Sequence, residues 1–240
     1  MLLTRAFRQT VVRNPLEGHD QIVLVVSRTQ SADAAKMVLF DREGDSWRFK
    51  QTAPAVIGAN GMAWGRGLHD SRESRGEEVK REGDGRSPEG VFELSGAYGY
   101  RPKDAVNIRF PYTQTTPDMV CIDEVRSAYY AMIVKSDSVG LDPSDMPSHE
   151  DMLRDDNLYK YLIVVGHNTA DTERGAGSCI FIHLWRDERT ATAGCTAVSE
   201  PVMLQLLGWL DPSKKPVLVQ LTRKNYNRLK AVWGLPDITI

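Results

Sequence analysis

The chain has 240 residues, 41% of them hydrophobic and 26% charged, with a formal net charge of −2. A chain of this length buries a real core. The near-neutral charge leaves no electrostatic footprint for nucleic acid, and no apolar run approaches the ~20 residues of a stable membrane insertion. The opening Met1-Leu2-Leu3-Thr4-Arg5 lacks the apolar stretch of a signal peptide, so an intracellular protein and one whose export signal has been removed are both open readings.

Gln21–Ser27 reads as a buried strand, and the turn Glu43-Gly44-Asp45 between Lys36–Phe40 and Trp47–Lys50 predicts a hairpin. Ala55–Gly58 continues the pattern, so this first part is expected to be an antiparallel meander. Residues 60–90 are crowded with glycine and charge and read as a long loop of the kind that is often functional. Strands are predicted at Val91–Leu94, Tyr129–Lys135, Tyr161–Val165, Ser178–Leu184 and Val217–Leu221, with a short helix within 149–156. Ser199–Leu210 has helical spacing, with Ser199 as N-cap, Pro201 early, and Val202, Leu206, Leu207 and Leu210 on the apolar face. A last helix is expected over Lys224–Trp233, stopped by Gly234 and Pro236. No repeat or linker breaks the chain, which predicts one mainly β (β-rich α+β) domain over residues 1–240 with peripheral helices.

Three cysteines, Cys121, Cys179 and Cys195, leave at least one thiol free. Their spacing fits no zinc knuckle, and no metal site is expected. Cys195 lies in Thr192-Ala193-Gly194-Cys195-Thr196, after a polar loop that follows His183 at the end of an apolar strand. An imidazole beside a thiol takes its proton and leaves a nucleophilic thiolate. A helix start just beyond would add the positive end of its dipole. Gly194 permits close backbone approach, and nearby N–H groups suit a developing oxyanion. The alternative for Cys195 is an inert buried cysteine, and for His183 a hydrogen-bonded strand residue.

These residues resemble the catalytic domain of the L,D-transpeptidases, the YkuD-like cysteine enzymes of bacterial cell walls. The family carries a histidine at a strand end followed by Ser/Thr-x-Gly-Cys, here His183 and Thr192-Ala193-Gly194-Cys195. It also carries an upstream Thr/Ser-Pro-x-Gly-x-Phe, here Ser87-Pro88-Glu89-Gly90-Val91-Phe92. The resemblance covers about residues 20–222 and is similar to a proteobacterial-type branch. It implies a β-sandwich with peripheral helices, export to the periplasm or cell wall, and peptidoglycan stem peptides as substrate. It further implies a thioester on Cys195 with His183 as base, and no cofactor. An amine acceptor makes the enzyme a transpeptidase, and water makes it a carboxypeptidase, endopeptidase or amidase-type hydrolase. A peptidoglycan-binding module with an idle thiol is a third reading. The chain departs from the family at Leu184-Trp185, where glycine usually follows the histidine, and at Ala197, where arginine or asparagine is usual.

Around this pair, Thr192 is expected to accept a proton or orient His183, the alternative being a polar loop residue. His167, Arg86, Trp185 and Thr196 are candidates for contacting the stem peptide. His167 is equally a residue capping its own turn, Arg86 an exposed loop arginine, and Trp185 a strand packing residue. Trp64 and His69, in the glycine-rich loop, either cover a site or plug that loop onto the core. In an exported protein Cys121 and Cys179 are placed to pair. Alternatively Cys179, on the same strand face as His183 by alternation, is a rival thiol.

Overall fold

The strands are built around a few dense apolar runs, with shorter or more exposed ones paired onto them. In the computed structural model, which describes residues 14–239, they are β1 (Gln21–Ser27), β2 (Ala34–Glu43), β3 (Ser46–Val56), β4 (Met62–Trp64), β5 (Ser87–Gly99), β6 (Tyr112–Gln114) and β7 (Met119–Cys121). These are followed by β8 (Ile133–Lys135), β9 (Glu150–Asp151), β10 (Tyr161–Val165), β11 (Phe181–Leu184), β12 (Thr196–Val198) and β13 (Val217–Thr222). The helices are α1 (Ser136–Val139), α2 (Glu200–Trp209) and α3 (Arg223–Trp233). The reading of Met1–Arg5 lies outside the described residues.

β1 is buried along its whole length. It pairs antiparallel with β2 and parallel with β13. The main sheet runs β10-β11-β12-β3-β2-β1-β13-β5, and β5 also pairs with β10. β5 manages both partners because it is long: Gly90–Glu93 bond β13, and Leu94–Gly99 bond β10. The sheet thus closes on itself as a flattened β-sandwich with no free edge along this circuit.

Alternation along the strands sorts the core. Val23 and Val25 face an interior shared with Phe92, Ile163, Ile182 and α2. Ile22, Leu24 and Val26 face a second layer roofed by Tyr226, Leu229 and Trp233 of α3. α3 is capped by Thr222, whose hydroxyl accepts from the Asn225 N–H at 3.2 Å, and ends at Gly234 with φ +66°. On β11, Ile182 and Leu184 point into the interior, while Phe181 joins Cys179, Cys195 and Tyr159 on the outer face. A small sheet, β8-β7-β9, stands against that outer face.

Several expectations are corrected. Residues 149–156 form β9 and turns rather than a helix, and within 129–135 only Ile133–Lys135 is a strand. The loop at 60–90 contains β4 and a short 3₁₀ turn, Ser71–Ser74. Ser199 holds the N-cap position of α2 without a side-chain cap bond. Trp64 and His69 plug this loop onto the core: Trp64 is buried, with its ring 4.8 Å from His69 and 6.4 Å from Trp233. His69 accepts from the Val91 N–H at 3.0 Å on Nδ1, and Nε2–H donates to the Gly65 carbonyl at 3.1 Å.

Gly90 faces that imidazole. Its φ is +141°, and a Cβ there would lie 1.9 Å from His69 Cε1. Gly90→Ala is therefore expected to destabilise the fold by about 2–5 kcal/mol, combining backbone strain with overpacking. Urea unfolding at pH 7 measures it; a loss below ~1 kcal/mol would contradict this packing.

Candidate active site

The site is built where two parallel strands run side by side. β11 pairs with β12 so that Ile182 faces Thr196 and His183 faces Ala197. Cys195 directly precedes β12, which sets its sulfur beside Phe181. The Phe181 N–H donates to Sγ at 3.3 Å, and the thiol donates to the Cys179 carbonyl at 3.5 Å. Cys195 and His183 line one cavity of about 360 Å³. The His183 Nδ1–H donates to the Leu184 carbonyl at 2.7 Å. That bond fixes the tautomer and leaves Nε2 with the lone pair. The imidazole stands edge-on to the Tyr159 ring, 5.2 Å between centroids.

The Cys195 carbonyl is clamped by two hydroxyls. Thr192 Oγ1 donates to it at 2.6 Å and Ser87 Oγ at 3.0 Å. Ser87 also accepts from the Gly58 N–H at 2.9 Å, and Thr192 from the Gly194 N–H at 3.1 Å. Thr192 thus holds the loop that carries Cys195 rather than His183, and the Gly194 N–H is committed to that loop. Gly194 has φ +151°, and a Cβ there would come within 3.0 Å of the Arg86 carbonyl oxygen. Its small size serves the contact between the two sequence motifs.

Burial dominates the electrostatics. It pushes the Cys195 thiol well above its ordinary value, with the nearby Glu150 adding to the effect, and it lowers His183 to about 4. The resting pair is therefore neutral. The expected helix-dipole assistance is absent because β12 separates Cys195 from α2. Three carboxylates line the cavity. Glu82 accepts from Tyr130 and Ser178, at 2.5 and 2.7 Å, and Glu150 accepts from the Tyr159 hydroxyl at 2.5 Å. Asp123 Oδ1 is buried with no hydrogen-bond partner. Burial, with Asp123 and Glu82 nearby, raises Glu150 to about 7. The cations on the same walls are engaged elsewhere: Lys80 with Asp84 at 2.6 Å, and Arg154 and Arg186 with Asp156 at 2.7 and 2.9 Å. Among the described residues no cation forms a salt bridge with Glu82, Asp123 or Glu150, although Arg154 lowers Glu150.

Of the other expected contacts, Trp185 lines the cavity. Thr196 does not: strand alternation turns it to the other face, where its hydroxyl donates to Gln220 Oε1 at 2.7 Å. His167 also lies outside, buried, with Nδ1 accepting from the Arg66 N–H at 3.2 Å and Nε2–H donating to the Ala176 carbonyl at 2.9 Å. Arg86 points away, donating to the Asn60 carbonyl at 2.8 Å and pairing with Glu78 at 2.9 Å. Cys121 and Cys179 form a disulfide, which leaves Cys195 as the free thiol. Among the described residues no group of three His, Cys, Asp or Glu is placed to hold a metal ion, and no helix is long and apolar enough to cross a membrane. Sequence reasoning missed Tyr159, Glu150, Asp123 and Glu82. The first three come from 120–160, a stretch without periodicity, and no local pattern marks them.

Two outcomes follow. Ser87→Ala leaves the buried Gly58 N–H unpaired and removes one clamp on Cys195, so it is expected to cost about 1–3 kcal/mol of stability. Differential unfolding measures that loss, and a neutral result would remove Ser87 from the clamp. Because the resting thiol sits high, its alkylation by iodoacetamide should keep rising above about pH 10.5, where an ordinary thiol has levelled. A plateau reached by about pH 10.5, as for an ordinary thiol, would refute the neutral pair.

The family model for the L,D-transpeptidase catalytic domain, YkuD, matches residues 21–219. Two solved structures resemble the fold. The helical cell shape determining protein Pgp2 from Campylobacter jejuni is 13% identical, over 84% of this chain and 47% of that one, with a TM-score of 0.40. Bd1075 from Bdellovibrio bacteriovorus is 12% identical, over 91% of this chain and 56% of that one, with a TM-score of 0.44. The chain spans about half the length of these two proteins. Comparison with curated proteins gives no match. With the family model covering most of its length, the chain belongs to the YkuD family of L,D-transpeptidase catalytic domains.

Proposed function

We propose that this protein is a peptidoglycan L,D-transpeptidase that works through a thioester on Cys195. The observation that carries the proposal is one cavity holding the free thiol, an imidazole with Nε2 available, and carboxylates without salt-bridge partners. His183 Nε2 takes the thiol proton as sulfur attacks the carbonyl carbon of the donor stem peptide's scissile amide. The proton moves with C–S bond formation, because neither ion is stable alone in the buried site. The imidazolium then protonates the departing amine, and the thioester remains. An incoming amine attacks the thioester carbonyl, loses a proton to a cavity base, and expels the sulfur, which regains its proton.

The cavity carboxylates favour an amine acceptor. Glu82, Asp123 and Glu150 attract an ammonium group, and Glu150, raised to about 7, accepts a proton near neutrality. Hydrolysis is the second reading, favoured by Ala197, whose methyl faces His183 where the family usually carries a larger polar residue. The disulfide suits an oxidising compartment and supports action in the periplasm or at the cell wall.

Incubation with stem tetrapeptides is expected to give an acyl adduct on Cys195 by mass spectrometry, absent in Cys195→Ala. His183→Gln should lower kcat/KM by about 10²–10⁴-fold. No adduct on wild type would leave a binding module with an idle thiol. Transfer to amine should grow as pH rises through about 7, where Glu150 ionises, and be lost as pH falls below it. Glu150→Gln should flatten that dependence and shift products toward hydrolysis. Water as the acceptor even with excess amine would establish the hydrolase instead.

A further inference from the structure

We infer that the Cys121–Cys179 disulfide is a positioning element for the Cys195 sulfur. The inference rests on Cys195 being the nucleophile. Both hydrogen-bond partners of the sulfur lie within two residues of the bridge: the Cys179 carbonyl accepts from the thiol, and the Phe181 N–H donates to it. Cys179 reaches that geometry with φ +52°, a left-handed conformation that is costly for a residue with a side chain. Glycine is the residue that adopts it without penalty. A cross-link supplies an external reason for cysteine to stay there.

The other end of the bridge reaches the opposite wall. Cys121 lies on β7, where its register partner on β9 is Glu150. A single covalent tie therefore joins the backbone that holds the sulfur to the strand pair that carries the cavity carboxylate. The bridge spans a sequence separation of 58 residues, and within that span β7, β8 and β9 form a sheet separate from the main one. Reduction by a dithiol converts the bridge to two thiols while the reductant becomes a cyclic disulfide. Residue 179 is then free to leave the left-handed region and carry its carbonyl away from Sγ.

The test compares two double variants in which Cys195 is the sole thiol, Cys121→Ser with Cys179→Ser and Cys121→Ser with Cys179→Gly. Iodoacetamide alkylation of Cys195 across pH reads the environment of the sulfur without any substrate, so failure here is distinguishable from failure to form an acyl-enzyme. The serine pair should displace the alkylation pH profile and slow acyl-enzyme formation by about tenfold to a hundredfold. The glycine variant, able to hold φ near +52° without a cross-link, should return the profile toward wild type and recover most of the acylation rate. A bridge that only stabilises the fold predicts that both variants, once folded, keep the wild-type alkylation profile, because glycine at a positive φ favours the fold as well. The inference is overturned if the serine pair keeps the wild-type profile or if glycine is no better than serine. It is also overturned if neither variant retains the near-UV circular dichroism of the wild type, since the bridge then serves the fold as a whole.

Discussion

The site depends on one contact: two side-chain hydroxyls closing on the carbonyl of Cys195. Ser87 comes from the start of β5 and Thr192 from the loop after β11, so neither segment alone can place that carbonyl. A second stitch runs beside it, from the Thr196 hydroxyl to Gln220 and from the Gln220 amide to the Pro88 carbonyl at 2.8 Å. These bonds are buried, where leaving a polar group unpaired is expensive. They explain why the two motifs, far apart in sequence, act as one unit. Glu89 extends the same logic to α3, accepting from the Thr222 N–H at 2.8 Å and from Asn225 at 2.8 Å at the start of that helix.

Burial that makes this clamp strong also sets the protonation state of the groups it positions. A thiol and an imidazole taken out of water both resist charge, and the resting pair stays neutral. In the proposed reaction, activation then belongs to the encounter with substrate rather than to the free protein. Glu150 acts in the same direction, because negative charge nearby discourages a second anion on sulfur, while Lys80 and Arg154 act against it. In the proposed transfer, an ammonium group entering the cavity would relieve that repulsion, so the charge that attracts the amine would also prepare the thiol or its ester for reaction.

Elements carried by dense apolar runs were readable from sequence. β1, β10, β11 and β13 are such runs, and α2 and α3 show helical spacing with glycine or proline at an end. β12 was not readable: three residues long, it exists only because β11 and β3 bond it from either side. Missing β12 produced the error about the helix dipole. β7 and β9 are equally short and owe their existence to pairing at a distance. Cys195 and His183 are singled out in the sequence by a flanking glycine and by a strand end, and both line one cavity; their catalytic roles belong to the proposal. Thr196 was misread because the strand it begins was unseen, and His167 because a turn histidine gives no sign of where its two nitrogens bond. Glu150 and Tyr159 reach the cavity through the small sheet and the turns after it, a tertiary fact with no local trace.

The neutral thiol has a further consequence for chemical durability. Cys195 packs in the same cluster as Cys179 and Cys121, with its sulfur bonded to the backbone of a disulfide residue. A resting thiolate in that position would be a standing threat to the bridge, since thiol–disulfide exchange begins with thiolate attack on a disulfide sulfur. It would also be the first group to be lost to sulfenic acid and higher oxides. A thiol that keeps its proton at rest lets a free sulfur and a disulfide share one small space without scrambling.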